Sequence, residues 1–149
     1  MSHEPRLIGI TKSARYAILG LVHLASQPPG QLVLAEATAQ RLKLPKSFLA
    51  KLFQRLAHKG ILVSQRGPRG GYALARAAST ITLAEVVDAT QEPRPGERDC
   101  MLEPRRCGVG GPCAMHDHLM AAERRVRDAL SSLSLAQAAR GEGVLERVA

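Results

Sequence analysis

Residues 34–75 read LAEATAQRLKLPKSFLAKLFQRLAHKGILVSQRGPRGGYALA, and the spacing of the apolar positions changes within this stretch. Before Gly60, apolar residues recur at helical intervals, which predicts two short helices separated by a proline. After it, two short apolar runs flank a loop rich in glycine and proline, which predicts a β-hairpin. The order of helix, turn, helix and hairpin therefore indicates the fold.

The helix-turn-helix is predicted at about residues 34–58. Its first helix is rich in strong helix formers and ends before Pro45, because a proline disfavours the α conformation in the residue that precedes it. Pro45 can also open the next helix, which buries one apolar face and leaves a polar and basic face outside. That second face could be an ordinary polar surface, but on the second helix of such a pair it is typical of groups that read base edges and hold phosphates. We predict that the following residues contact DNA: Lys46, Ser47, Lys51, Gln54 and Arg55.

The hairpin is predicted at residues 61–75, with strands over 61–66 and 72–75. Beside a helix-turn-helix, such a hairpin forms a wing. Arg66 lies at its base and Arg69 at its tip, where arginine is favoured electrostatically in a narrow minor groove. A hairpin that merely closes the core is compatible with this role.

The distribution of charge supports an anionic partner. The chain has 149 residues and a net charge of +8, but the first 80 residues hold 12 Lys and Arg against 2 acids, a net charge of +10, and the remainder has −2. Nine cations and no acid lie between Arg41 and Arg76. A solvated surface normally mixes both signs, so this region favours nucleic acid as partner. The apolar run over residues 17–25 is shorter than the ~18 residues of a membrane span and fits a first core helix, so we expect no membrane contact.

Three cysteines fall in or at the end of residues 91–113, a stretch without helical or strand periodicity that holds four prolines and four glycines. We call residues 91–113 the cysteine segment. A structureless stretch of this length in a compact chain is usually functional or disordered. If Cys113 opened a helix, the residue three places on would lie on the side of its sulfur, which favours His116 over His118 as a fourth ligand. The candidate metal-ligating set is Cys100, Cys107, Cys113 and His116.

Three thiolates and an imidazole suit structural zinc and an iron–sulfur cluster equally well by ligand type. The close C-x₂₋₄-C pair that is usual in structural zinc sites is absent, and the glycines and prolines give a wide loop that could enclose more than one ion. Free thiols are the remaining alternative. Redox catalysis and nucleophilic catalysis are disfavoured, because there is no C-x-x-C and no paired base or triad, so we predict that the chain is not an enzyme.

Residues 114–140 are predicted to form a long helix, about 114–132, and a short terminal helix that starts with the capping box Ser134-Leu135-Ala136-Gln137. A narrow apolar seam repeats every seven residues and is typical of a contact between helices. It consists of Leu119, Val126 and Leu133, with Ala122, Ala129 and Ala136 three places after each. A winged helix over residues 9–90 is complete without this seam, so we expect it to join two copies into a homodimer, as a reader of two DNA half-sites requires.

From about Ile10 to Gln137 the chain resembles the IscR-type winged-helix regulators, a family that includes sensors of iron–sulfur status, nitric oxide and iron. The resemblance is carried by Thr11-Lys12-Ser13-Ala14-Arg15-Tyr16-Ala17, by Phe48-Leu49-Ala50-Lys51-Leu52-Phe53, and by Arg66-Gly67-Pro68-Arg69-Gly70-Gly71-Tyr72 followed by three cysteines. It implies a mainly α protein with a small β-hairpin wing, a winged helix-turn-helix followed by a long C-terminal dimerisation helix.

The resemblance also implies a function and a cofactor. The function is a sequence-specific, cytoplasmic DNA-binding transcription regulator, expected to act as a repressor on a double-stranded operator, without a small-molecule substrate. The cofactor is a 2Fe–2S cluster on Cys100, Cys107, Cys113 and His116 that senses iron–sulfur, redox, iron or nitric oxide status. Two features depart from the pattern. The first two cysteines are separated by six residues rather than five. In addition, Arg15 stands where some relatives place an acidic ligand, and because arginine cannot ligate iron, this residue disfavours a 4Fe–4S cluster. The alternative is a winged-helix protein with structural zinc or a thiol redox switch.

Overall fold

The computed structural model describes residues 10–91 and 113–141. Within these ranges the chain is mainly helical and contains one antiparallel hairpin, which confirms the predicted fold class. The elements are α1 (Lys12–Ala25), α2 (Ala35–Leu42), α3 (Lys46–His58), β1 (Leu62–Gln65), β2 (Gly71–Leu74), a 3-10 turn (Ala78–Thr80), α4 (Leu83–Thr90), α5 (His116–Ser132) and α6 (Leu135–Ala139).

The core lies where α1, α3, α4 and α6 meet. The largest fully buried side chains come from all four helices and from their connections, and include Leu21, Phe53, Val86 and Leu135. Helix α1 approaches α3 closely because residue 20 is glycine: a Cβ there would lie 2.7 Å from a ring carbon of Phe53. This contact sets the position of α3 against the rest of the core.

The turn between α2 and α3 confirms the helix-turn-helix. Helix α2 ends at Lys43, which adopts the left-handed conformation with φ of 54° and is the one non-glycine residue in the described part of the chain to do so. The amide of Leu44 then donates to the carbonyl of Ala39 at 2.8 Å, and Pro45 forms the N-cap of α3. Gly60 follows the end of α3 with φ of 79°, as glycine does after many helices.

The wing is built from β1 and β2, with Leu62 opposite Leu74 and Gln65 opposite Gly71. The structure adds an isolated bridge that the sequence did not predict: Val33 and Tyr72 exchange backbone hydrogen bonds of 2.9 and 2.8 Å. Gly71 makes this bridge possible, since its φ is 145° and a Cβ there would lie 2.8 Å from the carbonyl of Val33. The chain before α2 is thereby attached to the wing.

The C-terminal helices differ from the prediction in one respect. The predicted capping box at Ser134 is confirmed, and a second capping box at Thr82 begins α4, but the long helix begins at His116 rather than at residue 114 and ends at Ser132. Leu133 leaves the helix in an extended conformation, and Ser134 bridges to Thr82. The predicted seam therefore cannot continue along one helix to Leu133 and Ala136. Instead, the fully buried Leu135 anchors α6 in the winged-helix core.

Candidate nucleic-acid interface and cysteine segment

Helix α3, which we call the recognition helix, separates its apolar and polar residues cleanly. Its buried residues are Leu49, Leu52, Phe53 and Leu56. Four of the five residues that the sequence assigns to DNA lie on the other side and are exposed: Lys46, Ser47, Lys51 and Gln54. The exposed ammonium groups supply charge for phosphates, and the amide of Gln54 has the donor and acceptor arrangement that reads adenine.

Arg55, the fifth of these residues, is placed differently. It is half-buried, and its Nη1 donates to the backbone carbonyl of Thr90 at 3.0 Å. At least one of its N–H groups is thus used within the protein, and its partial burial distinguishes Arg55 from the four exposed residues. The sequence could not show this contact because the two residues are 35 positions apart.

The first turn of the recognition helix is tied to α2 by an ion pair. Lys46 Nζ lies 2.5 Å from Oε1 of Glu36, and both side chains are exposed. The hydrogen bond and the charge of Lys46 lower the pKa of the Glu36 carboxyl below its ordinary value of 4.5. Glu36 is the one acid before Arg76 in the described residues, and the ammonium group of Lys46 compensates its negative charge.

This pair predicts a pH-dependent contact. Since the pKa of Glu36 is lowered in the folded chain, the pair adds stability above pH 4.5, and that contribution is lost as the pH falls through the lowered pKa. We expect an NMR titration of the Glu36 carboxyl carbon to have its midpoint below 4.5, and Lys46→Met to return it towards 4.5. Equal midpoints in the two proteins would contradict the pair.

A surface groove with a volume of about 440 Å³ lies between the recognition helix and the wing. Gln54 and Arg66 both line it, and Arg66 and Arg69 of the wing are both exposed. The surface also contains residues that sequence reasoning did not select: Leu34, Ser64, Gln65 and Tyr72. The exposed polar residues of β1 could have been found from the alternation of the strand, whereas Leu34 and Tyr72 enter through the bridge between Val33 and Tyr72.

The N-terminal turn of α1 lies beside the first turn of the recognition helix. The rings of Tyr16 and Phe48 meet edge to face, with centroids 5.6 Å apart and planes at 87°. Lys12 Nζ lies 5.6 Å from the centroid of Tyr16, a favourable contact of a cation with an aromatic face. Lys12 and Arg15 are exposed, so α1 extends the basic surface of the recognition helix.

The structure describes two of the four predicted metal ligands. Cys113 is half-buried and lies just before α5, and its carbonyl accepts a hydrogen bond of 3.1 Å from the amide of His116. The premise that Cys113 opens the helix is therefore corrected: one turn connects it to His116, the first residue of α5. His116 is half-buried and His118 is exposed. Cys100 and Cys107 lie outside the described residues, and residues 10–91 and 113–141 alone contain no group of three or more potential metal ligands.

Among the described helices, none is both long and apolar enough to cross a bilayer.

Comparisons with known proteins agree with this architecture. The family model Rrf2, described as "Iron-dependent Transcriptional regulator", matches residues 10–141. An HTH-type transcriptional regulator IscR from Xenorhabdus nematophila is 33% identical over 138 residues, which cover 92% of this chain and 82% of the relative. A putative HTH-type transcriptional regulator from Aquifex aeolicus is 31% identical over 118 residues, which cover 78% of this chain and 81% of that protein.

Solved structures share the fold. CymR, the global cysteine regulator of B. subtilis, superposes with a TM-score of 0.72 at 22% identity, covering 89% of this chain and 96% of CymR. T. potens IscR superposes with a TM-score of 0.70 at 18% identity, covering 90% of this chain and 88% of that protein. With the family match over residues 10–141, these findings establish that the chain is a winged-helix transcriptional regulator of the Rrf2 family.

Proposed function

We propose that this protein is a homodimeric repressor that binds an operator through the recognition helix and the wing, and whose affinity for DNA is controlled by an iron–sulfur cluster. The observation that carries the DNA-binding part is the exposed face of α3, with Lys46, Ser47, Lys51 and Gln54 on the side opposite the core. Arg66 and Arg69 extend this face across the wing. Phosphate contacts from the lysines would position the protein, and Gln54 would read a base edge.

The proposed dimer uses α5. This helix has 17 residues and no buried residue within a single chain, although a helix of this length normally needs tertiary packing for its stability. Leu119 and Val126 are half-buried, and Ala122 and Ala129 between and after them are exposed. A second copy of α5 would cover this shortened seam. It would also bring two recognition helices into one assembly, as a palindromic operator requires.

The proposed cofactor site consists of Cys100, Cys107, Cys113 and His116. The chemistry of the donor set fits the cofactor, since thiolates are the usual ligands of iron–sulfur clusters and an imidazole can replace one of them. The described half of the site agrees with this, because one turn connects Cys113 to His116 and neither residue is fully buried. When bound, an iron–sulfur cluster supplies a redox-active centre whose presence depends on iron and sulfide. The description of the family as iron-dependent supports the proposal.

Anaerobic purification tests the cofactor. We expect a coloured protein with visible charge-transfer absorption and with iron and acid-labile sulfide in a ratio near one, most simply as 2Fe–2S. Cys113→Ser should lose most of both, because it removes one of the three thiolate ligands from the set. His116→Ala should give a more labile or spectrally altered cluster, and His118→Ala is the matched control that should match the wild type.

Three other results would each contradict a part of this proposal. A colourless protein with stoichiometric zinc would replace the proposal with a structural zinc site. An apoprotein that cannot be loaded with iron and sulfide, and whose thiols are oxidised and reduced reversibly, would indicate a thiol switch. A spectrum that changes with His118→Ala but not with His116→Ala would reassign the fourth ligand.

A further inference from the structure

The recognition helix is hydrogen-bonded to Thr90, the residue immediately before the cysteine segment. Arg55 Nη1 donates to the carbonyl of Thr90 at 3.0 Å, and Thr90 is the last residue of α4. Thr90 is buried, and its hydroxyl donates to the carbonyl of Val87 in the same helix at 2.8 Å. The last carbonyls of a helix lack intrahelical partners and carry partial negative charge, which makes a guanidinium a favourable partner.

Helix α5, which follows the cysteine segment in the chain, also contacts the last turn of α4. The segment ends at Cys113, three residues before the start of α5 at His116. On α5, Arg127 makes two hydrogen bonds of 2.6 Å with the carboxylate of Asp88, which lies two residues before Thr90. The last turn of α4 is therefore joined to the recognition helix through Arg55 and to α5, the helix that follows the segment, through Arg127.

We propose that Arg55 is a positioning residue that couples the cysteine segment to the recognition helix, through its hydrogen bond to the carbonyl of Thr90. The inference rests on the proposed function, because it concerns how a change in the segment reaches the DNA-binding face. A shift of the last turn of α4 pulls on the guanidinium of Arg55, and Arg55 lies one residue after Gln54 on the helix that faces DNA. Since coupling between two sites is reciprocal, DNA on the recognition helix must also alter the environment of the segment.

The chain offers a matched control. Arg76 also contacts α4, through the carboxylate of Glu85, but this contact is in the first turn of the helix, at the opposite end from Thr90. Like Arg55→Met, Arg76→Met removes an arginine side chain that contacts α4, but it leaves the contact at the last turn of α4 intact. Arg55→Lys keeps a charged donor that can reach the carbonyl of Thr90, so it should rescue the coupling in part.

The experiment uses an operator duplex selected from random DNA with the wild-type protein. In the apoprotein, the rate of alkylation of Cys113 by iodoacetamide is followed by mass spectrometry, with and without the duplex. For the wild type and Arg76→Met we expect the duplex to change this rate about fivefold or more, at the lower end of typical allosteric coupling. For Arg55→Met we expect a change of less than about twofold, and for Arg55→Lys an intermediate value. Duplex concentrations are set to saturate each variant.

The dissociation constant of the duplex is then measured for the apoprotein and the iron–sulfur-loaded protein. We expect the two constants to differ about fivefold or more in the wild type and to converge in Arg55→Met. Equal constants in the wild type would refute control by the cluster, while the alkylation rates would still decide the role of Arg55. The inference is overturned if Arg55→Met shows the wild-type change in alkylation rate, or if the duplex changes this rate in none of the proteins.

Discussion

Phe53→Ala is expected to lower the free energy of unfolding by about 3–5 kcal/mol, the usual cost of removing a fully buried phenylalanine. Phe53 has no exposed surface, and its ring meets that of Tyr72 edge to face with centroids 5.3 Å apart. On its other side the ring contacts α1 at Gly20. The side chain thus joins the recognition helix to both α1 and the wing. Since domains are stable by only about 5–15 kcal/mol, this single change should leave the fold marginal.

Urea denaturation followed by circular dichroism measures the effect. Phe53→Leu is the control, because it keeps most of the apolar volume and should cost less than about 2 kcal/mol. Gly20→Ala adds a sharper test: its Cβ would lie 2.7 Å from the wild-type ring, whereas in Phe53→Ala this ring is absent and the Cβ would meet Cδ1 of Leu49 at 3.4 Å, an ordinary van der Waals contact. We therefore expect Gly20→Ala to be destabilising in the wild type and much less so in Phe53→Ala. Additive effects of the two substitutions would show that Gly20 does not set the approach of α1.

Lys51→Ala is expected to weaken binding to the operator about 10- to 100-fold at moderate salt, because the proposed dimer would lose two charge-assisted contacts with phosphate. Lys51 is exposed on the polar face of α3. Each phosphate contact contributes about 0.9 to the slope of log K against log salt, so the slope should fall in magnitude by about 2. Fluorescence anisotropy at four or more salt concentrations gives both quantities from one titration series.

Arg124→Ala is the matched control for charge. It removes one positive charge per chain, as Lys51→Ala does, but from an exposed position on α5 away from the recognition helix and the wing. The slope should stay at the wild-type value. An unchanged slope in Lys51→Ala would mean that this lysine does not contact phosphate, and equal losses in both variants would mean that only the net charge matters.

Much of the fold could be predicted because its signals are local. The end of α2 at Lys43, the N-cap Pro45 and the capping boxes at Thr82 and Ser134 all act within four residues of the chain. Glycine and proline mark the turns through their own backbone preferences, which do not depend on distant residues. The polar face of α3 could be predicted for the same reason, since helical spacing assigns its residues to one side or the other.

Contacts between distant residues could not be predicted in this way. The bridge from Val33 to Tyr72 and the pair of Arg127 with Asp88 join positions 39 residues apart, and no local pattern identifies such partners. The seam along residues 119–136 was overextended for a related reason. Its sevenfold repeat continues past Ser132, but the backbone of Leu133 and Leu135 forms hydrogen bonds beside α4, and burial of Leu135 in the core outweighs continuation of the helix.

Arg55 shows most clearly the difference between what local sequence patterns predict and what contacts between distant residues decide. Its sequence position assigned it to the helix of Lys51 and Gln54, and the net charge of +10 over the first 80 residues favoured contact with DNA. Helical periodicity assigns a residue to an angle around the axis, but it cannot tell whether a long side chain at the edge of the polar face reaches solvent or a neighbouring helix. Packing of α3 against α4 brings the carbonyl of Thr90 within 3.0 Å, and an unpaired helix-terminal carbonyl attracts a guanidinium. The sequence by itself determined the winged helix and its basic face, because both follow from local periodicity and charge, whereas the tertiary structure alone decided that Arg55 connects the recognition helix to the last residue of α4.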